Sequence, residues 1–157
     1  MDRVRFDHFV ERRLYDPASG FYEVGGAAGT RRGDFVTSVE VGPLFGVLIG
    51  HWLDARWVEL GQPDPFLVVE AGAGRGTLAR SVRAGAPECL DALRYIATER
   101  SATLRGMIEL DGVATAASLS EVDEAHVVIA NELLDNLAFR MLESAPDGWR
   151  DLWVVDD

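Results

Sequence analysis

The feature that most constrains the fold is a run of apolar residues that leads directly into alternating glycines. Residues 66–69 are Phe-Leu-Val-Val, and Glu70 then precedes Gly72, Gly74 and Gly76. A short continuous apolar run is typical of a strand buried in a parallel sheet. Alternating glycines let the main chain turn sharply and approach a ligand closely, while a following helix offers free N–H groups to an anion. The segment therefore predicts a strand, a tight turn and a helix that together hold a nucleotide-like ligand.

Further apolar segments extend this unit into an α/β fold. Additional strands are expected at 95–97, 113–116 and 127–130. Helices are expected near 77–84, 101–109 and 132–138. Strands that alternate with helices predict a parallel sheet with helices on its faces. At the end of the chain, 139–143 and 149–156 flank Ser-Ala-Pro-Asp-Gly and predict an antiparallel hairpin.

The N-terminal part predicts helices joined by a glycine-rich loop. Residues 3–14 have the apolar spacing of an amphipathic helix, and 15–35 form a loop held by aromatic rings. Thr37 or Ser38 is expected to cap a second helix, which Pro43 starts. Its predicted buried stripe consists of Leu44, Leu48, Trp52 and Ala55. We therefore divide the chain into an extension, 1–62, that packs on the ligand site and a ligand-binding part, 63–157.

Acidic residues follow two of the predicted strands. Glu99 ends the second strand, where a carboxylate accepts hydrogen bonds from both hydroxyls of a ribose. Asn131 is expected to cap the helix at 132–138, which places Glu132 and Asp135 on one helical face. Since ligands bind at the carboxyl edge of a parallel sheet, these two carboxylates are candidates for contact with a cationic acceptor. The alternative is that all three acids only complement the starts of helices.

The charge composition limits the classes of partner that the chain is expected to bind. The 157 residues suit one domain, and 15 basic against 26 acidic residues give a net charge of −11. This charge disfavours binding to nucleic acid or to an anionic membrane surface. The basic residues are all Arg, which indicates GC-rich coding and a bacterial source.

Cysteine and histidine usage indicates a chain without metal ligands. Cys89 is the single cysteine, and His8, His51 and His126 show no metal-ligand spacing, so no metal site is expected. A lone cysteine and the absence of a signal peptide predict a cytoplasmic location.

The glycine spacing separates two classes of cofactor. The dinucleotide fingerprint G-x-G-x-x-G requires glycine where Thr77 stands. The spacing E-x-G-x-G-x-G instead matches the loop of S-adenosylmethionine-dependent methyltransferases. Four segments together resemble the MidA-like methyltransferases, whose mitochondrial relatives assist assembly of respiratory complex I. These are 14–22 (LYDPASGFY), 33–46 (GDFVTSVEVGPLFG), 68–76 (VVEAGAGRG) and 129–140 (IANELLDNLAFR).

The resemblance covers essentially the whole chain and implies a function. It implies a class I methyltransferase fold, which is a Rossmann-like parallel sheet flanked by helices, with S-adenosylmethionine as methyl donor and a protein arginine as acceptor. Glu132 and Asp135 would face the acceptor. The cofactor would contact Thr37, Ser38, Glu70, Gly72, Gly74, Gly76, Glu99 and Asn131.

The family fold has further strands after the fourth, so we expect a sheet that is incomplete on one side. The apolar strand at 127–130 then becomes an exposed edge through which a homo-oligomer can form. Two other functions stay open at this point. One is a nicotinamide-dependent oxidoreductase, and the other is a shortened relative that acts as a binding or assembly partner without catalysis.

Overall fold

The structure is a computed structural model that describes residues 2–24 and 37–156. Most of the loop predicted at 15–35 lies outside the described residues, and so does the Gly-Asp-Phe part of the segment 33–46. Among the described residues, no helix has the length and apolar character needed to cross a membrane.

The described residues contain five α-helices and three short 3₁₀ turns. The helices are α1 (Phe6–Tyr15), α2 (Ser38–Val41), α3 (Leu44–Glu59), α4 (Thr77–Ala84) and α5 (Ala102–Arg105). The 3₁₀ turns are Glu88–Asp91, Leu119–Glu121 and Leu134–Asn136.

Eight strands in the same residues form three sheets. They are β1 (Asp2–Arg5), β2 (Phe66–Ala71), β3 (Leu93–Thr98), β4 (Val113–Ala116), β5 (Val127–Ala130), β6 (Leu142–Ala145), β7 (Gly148–Asp151) and β8 (Trp153–Asp156). The main sheet is parallel with the order β4-β3-β2-β5. The predicted α/β class is confirmed, and β5 lies at one edge of this sheet as expected.

The core lies where β2 meets α3 and α4. Phe66 and Val68 of β2 are fully buried, and they pack with Leu53 of α3 and with Leu78 and Val82 of α4. Because helices cover this strand and strands flank it on both sides, its side chains are apolar in succession rather than in alternation. The central strand therefore presents its carboxyl end, with the glycines, at the middle of the sheet.

The predicted buried stripe of α3 was wrong. Leu44, Leu48 and Trp52 are exposed, as is Ala55, whereas Gly46, Gly50 and Leu53 are buried. The physical reason is a close approach between α3 and α4, since a Cβ built on Gly46 would lie 2.3 Å from Cβ of Ser81. The glycines thus face the neighbouring helix, and the larger apolar side chains are turned outward.

The ends of the chain differ from the prediction because they pair with each other. Residues 2–5 form β1 rather than the start of a helix, since β1 pairs antiparallel with β8. The predicted hairpin is present but shorter, with β6 paired to β7, and β8 leaves the hairpin to reach β1. Pairing between strands so far apart in the chain cannot be predicted from local apolar spacing.

The helix predicted at 132–138 was also wrong. Glu132 has φ +50°, in the left-handed region, and only Leu134–Asn136 forms a helical turn, of the 3₁₀ type. The side-chain amide of Asn136 donates to the carbonyl of Glu132 at 2.8 Å. Glu132 and Asp135 are consequently carried by a loop and not by one face of a helix, and Asn131 does not cap a helix there.

Candidate active site

A cavity of about 550 Å³ opens at the carboxyl ends of β2, β3 and β5. Its volume lies within the usual range for sites that bind small molecules. The glycine loop and the segments after β3 and β5 line it, together with Tyr15, Tyr22 and the start of α2. The predicted residues Thr37, Glu70, Gly72, Gly74, Glu99, Asn131, Glu132 and Asp135 all contribute to the lining. Ser38 and Gly76 lie just outside it.

The glycine loop has the conformation that its sequence predicts. Gly72, Gly74 and Gly76 have φ of +71°, +55° and +74°, values that side chains other than hydrogen rarely allow. Among the described residues other than its chain neighbours, no atom lies within 4 Å of a Cβ built on Gly74. The space beside Gly74 belongs to the cavity and is open to a ligand that approaches the main chain.

Glu99 is fixed against this loop. It is 8% exposed, and its Oε2 accepts a hydrogen bond from the N–H of Gly74 at 2.9 Å. Its Oε1 accepts one from the N–H of Ser101 at 2.8 Å. Burial raises the pKa of Glu99, while these two N–H groups act in the opposite direction. Each carboxylate oxygen keeps a further lone pair, so the side chain can also accept from ligand hydroxyls.

Glu70 lies deeper in the cavity wall than Glu99. It is 4% exposed and accepts a hydrogen bond from the hydroxyl of Tyr95 at 2.8 Å. Burial raises the pKa of Glu70 to about 7, although the Tyr95 hydrogen bond acts against this rise. The carboxyl group is therefore engaged with β3 beneath the loop. Contact between Glu70 and a cofactor stays a prediction.

The raised pKa of Glu70 predicts a pH-dependent stability. A carboxyl group whose pKa is higher in the folded than in the unfolded chain stabilises the fold at low pH, and this contribution is lost as pH rises through the folded value. From about pH 5 to about pH 8, the wild-type chain should lose about 2 kcal/mol that Glu70→Gln retains. Thermal unfolding of both chains across this range measures the difference. Parallel pH profiles for the two chains would rule out the shift.

Glu132 is held in an unusual conformation at the cavity edge. The N–H and Oγ–H of Ser38 both donate to Oε1 of Glu132 at 3.3 Å. A non-glycine residue at φ +50° costs about 1 to 3 kcal/mol and persists only where its surroundings impose it. Gln62 and Ala86 also have a positive φ, but of these three described residues only Glu132 lines the cavity.

Thr37 and Asp135 complete this side of the cavity. Thr37 is 7% exposed, and its Oγ1 has no hydrogen-bond partner in the part of the chain that the structure describes. The side chain of Asp135 is exposed on the loop that carries Glu132. The structure thus brings the start of α2 and the loop after β5 together, although 94 residues separate Ser38 from Glu132.

Three residues of this region were not predicted from the sequence. The hydroxyl of Tyr15 donates to the carbonyl of Asn136 at 2.9 Å, and the hydroxyl of Tyr22 donates to Oδ1 of the same residue. Burial raises the pKa of Tyr22 to about 12, so its hydroxyl stays a donor at neutral pH. The aromatic residues of LYDPASGFY were the available signal, but nothing local identifies their partner.

The charged groups around the cavity are mainly acidic. Five carboxyl groups line it, those of Glu40, Glu70, Glu99, Glu132 and Asp135, of which Glu70 is only partly ionised at neutral pH because its pKa is raised to about 7. The lining also includes Arg75 and Arg100, and Arg100 forms an ion pair with Glu11. Within the described residues, the cavity therefore favours a ligand that carries positive charge.

A comparison with known families identifies the family of this chain. A family model described as "Putative S-adenosyl-L-methionine-dependent methyltransferase" matches residues 48–157. The chain belongs to this methyltransferase family. The fold class, the family and the cofactor class predicted from the sequence are confirmed, and membership argues against the nicotinamide-dependent alternative.

Curated relatives extend the similarity over most of the chain. Protein arginine methyltransferase NDUFAF7 of Mus musculus is 26% identical over 183 residues, covering 95% of this chain and 41% of the relative. The Homo sapiens protein of the same name is 38% identical over 74 residues, covering 47% of this chain and 17% of the relative. The chain thus spans about two fifths of the length of the mouse relative.

Solved structures agree with this family assignment. A protein from Burkholderia thailandensis bound to S-adenosyl-homocysteine has a TM-score of 0.76 and 29% identity. The match covers 99% of this chain and 43% of that protein. A native crystal structure of a second B. thailandensis chain has a TM-score of 0.72.

The residues of the cavity fit the cofactor of this family. The open space beside Gly74 admits a ligand close to the main chain, and Glu99 has acceptor capacity left for ribose hydroxyls. The polar oxygen of Thr37 is still without a partner among the described residues. These three features are compatible with a ligand that contains a ribose and further polar groups.

Proposed function

We propose that this chain binds S-adenosylmethionine beside the glycine loop and transfers the methyl group to an arginine side chain of a protein. The observation that carries this proposal is the carboxylate of Glu132, which Ser38 holds at the edge of an acidic cavity. The relatives support it, since their names describe protein arginine methyltransferases. A guanidinium is cationic and suits such a cavity.

The cofactor would be held by main-chain and side-chain groups of different strands. Gly72, Gly74 and Gly76 would let it approach the main chain after β2, and Glu99 would accept from its ribose hydroxyls. The remaining proposed contacts are Thr37, Ser38, Glu70 and Asn131. In this proposal, residues 1–62 form an extension that packs on the cofactor site, and 63–157 form the cofactor-binding part.

Glu132 and Asp135 would act on the acceptor. When bound, S-adenosylmethionine supplies a methyl group bonded to a sulfonium sulfur, which leaves as the neutral thioether of S-adenosylhomocysteine. A guanidinium is protonated and a poor nucleophile, so carboxylates that orient it and localise its charge make one nitrogen more reactive. The proton that this nitrogen loses passes to a carboxylate or to water. The chain therefore contributes positioning and proton removal.

A transfer assay with matched peptides tests the proposal. The purified chain is incubated with methyl-labelled S-adenosylmethionine and an arginine-containing peptide, or with the same peptide in which lysine replaces arginine. Label should enter only the arginine peptide, and mass spectrometry should locate the methyl group on the guanidinium. Label confined to the lysine peptide contradicts the arginine assignment. Tight binding of S-adenosylhomocysteine without any transfer favours the non-catalytic relative.

A further inference from the structure

We propose that Tyr22 and Asn136 are positioning residues, which hold Glu132 where a cationic acceptor would meet its carboxylate. This inference rests on the proposed function, in which neither residue has yet been given a role. The side-chain amide of Asn136 forms hydrogen bonds through both its nitrogen and its oxygen. Nδ2 donates to the carbonyl of Glu132 at 2.8 Å, and Oδ1 accepts from the hydroxyl of Tyr22.

The bond from Asn136 acts on a residue that needs external support. Glu132 is in the left-handed region, which a side chain with a Cβ does not adopt without cost. The Asn136 amide donates to the main-chain carbonyl of Glu132, and the N–H of Ser38 donates to the carboxylate of the same residue. Main chain and side chain of Glu132 are thus fixed by different partners. Loss of the amide contact should free the main chain while Ser38 remains in place.

Tyr22 links this loop to the cofactor side of the cavity. Its carbonyl accepts a hydrogen bond from Oγ of Ser101 at 3.1 Å, and the N–H of Ser101 donates to Glu99. The ring of Tyr15 lies 5.5 Å from that of Tyr22, centroid to centroid, and the hydroxyl of Tyr15 binds the carbonyl of Asn136. The hydroxyl of Tyr22 therefore connects a segment anchored near Glu99 with the loop that carries Glu132.

Tyr22→Phe isolates this connection, because the ring remains and only the donor is removed. Hydrogen exchange of residues 131–137, followed by mass spectrometry, should become faster. Affinity for an arginine peptide in the presence of S-adenosylhomocysteine should fall about three- to tenfold, the effect of one lost hydrogen bond. Affinity for S-adenosylhomocysteine alone should not change. A general loss of structure would instead lower both affinities.

Asn136→Ala provides a second, independent variant. It removes the contacts of the amide with Glu132 and Tyr22, as well as a long contact of 3.5 Å with Asp135, and should show the same changes more strongly. The double variant with Tyr22→Phe should be no worse than Asn136→Ala alone, because two residues that act through one bond are not additive. Thr103→Val is the matched control. It removes a donor to the carbonyl of Glu23 at 3.3 Å in the same segment and should leave exchange at 131–137 unchanged.

The two measurements separate failure of this inference from failure of the proposed function. Unchanged exchange at 131–137 in both Tyr22→Phe and Asn136→Ala overturns the positioning role, whatever the acceptor is. An equal fall in affinity for peptide and for S-adenosylhomocysteine overturns it as well. A wild-type chain that binds S-adenosylhomocysteine but no arginine peptide contradicts the proposed acceptor, and the exchange measurement then decides the positioning role alone.

Discussion

Gly74→Val should reduce the affinity for S-adenosylhomocysteine at least about 100-fold, which corresponds to roughly 3 kcal/mol. Two effects add in this variant. The branched side chain would project into the open space beside Gly74, which the ligand needs. It would also strain a main chain at φ +55°, whose N–H holds Glu99 in place. Titration calorimetry measures the affinity, and thermal unfolding shows how much of each sample is folded.

Gly61→Val is the matched control for this experiment. Gly61 has φ +81°, and apart from its chain neighbours no atom of the residues that the structure describes lies within 4 Å of a Cβ built there, but it lies in the turn after α3 and does not line the cavity. The same side chain should therefore cost similar stability there and leave ligand affinity unchanged. If both variants bind S-adenosylhomocysteine like the wild type, the ligand does not occupy the space beside Gly74.

Glu132→Gln should lower methyl transfer to an arginine peptide about 100-fold or more, the usual range for loss of a group that accepts a proton. The amide oxygen can still accept from both donors of Ser38, so the geometry of the loop is kept. Only the charge and the proton acceptor are lost. Binding of S-adenosylhomocysteine should stay at the wild-type level, and steady-state kinetics with calorimetry separate the two quantities.

The control for this variant is Glu143→Gln, the same chemical change on an exposed residue of β6. Glu143 does not line the cavity, so this variant should transfer methyl groups at the wild-type rate. Full activity in Glu132→Gln would show that a residue other than Glu132 acts on the acceptor. Asp135, on the same loop, would then be the next residue to change.

The central part of the fold follows from the sequence because its determinants are local. The apolar run of β2 and the three glycines after it dictate a strand and a turn without reference to distant residues. The position of Glu99 at the end of β3 is likewise local, since strand and acid are adjacent. The sequence did not reveal that Glu99 accepts from Gly74, which depends on the register between β2 and β3.

The errors occurred where distant partners decide the structure. Glu132 and Asp135 have the spacing of one helical face, but Asn136 bonds back to Glu132 and the tyrosines of the N-terminal segment bind Asn136. Leu44 and Leu48 have the spacing of a core stripe, yet the close approach of α4 at Gly46 turns that face outward. Apolar periodicity predicts that a helix has two different faces, but it does not predict which of them packs against the core.

Association through the edge of β5 also stays a prediction. Both Val127 and Val128 belong to this strand, and Val127 is buried, whereas Val128 is 55% exposed. Unpaired apolar edges favour pairing with another chain. The expectations of a bacterial source and a cytoplasmic location likewise rest on sequence composition alone.

The network around Asn136 has a consequence for the order in which the chain completes its contacts during synthesis. Gly74 and Glu99 are separated by 25 residues, so the glycine loop can meet its acid soon after β3 leaves the ribosome. Tyr22 and Asn136 are separated by 114 residues. The hydroxyl of Tyr22 therefore gains its partner only after β2, β3 and β5, which lie between these two residues, have been synthesised. The contact between the glycine loop and Glu99 can thus form earlier on the growing chain, whereas the contact that fixes the loop after β5 forms only once Asn136 has been synthesised.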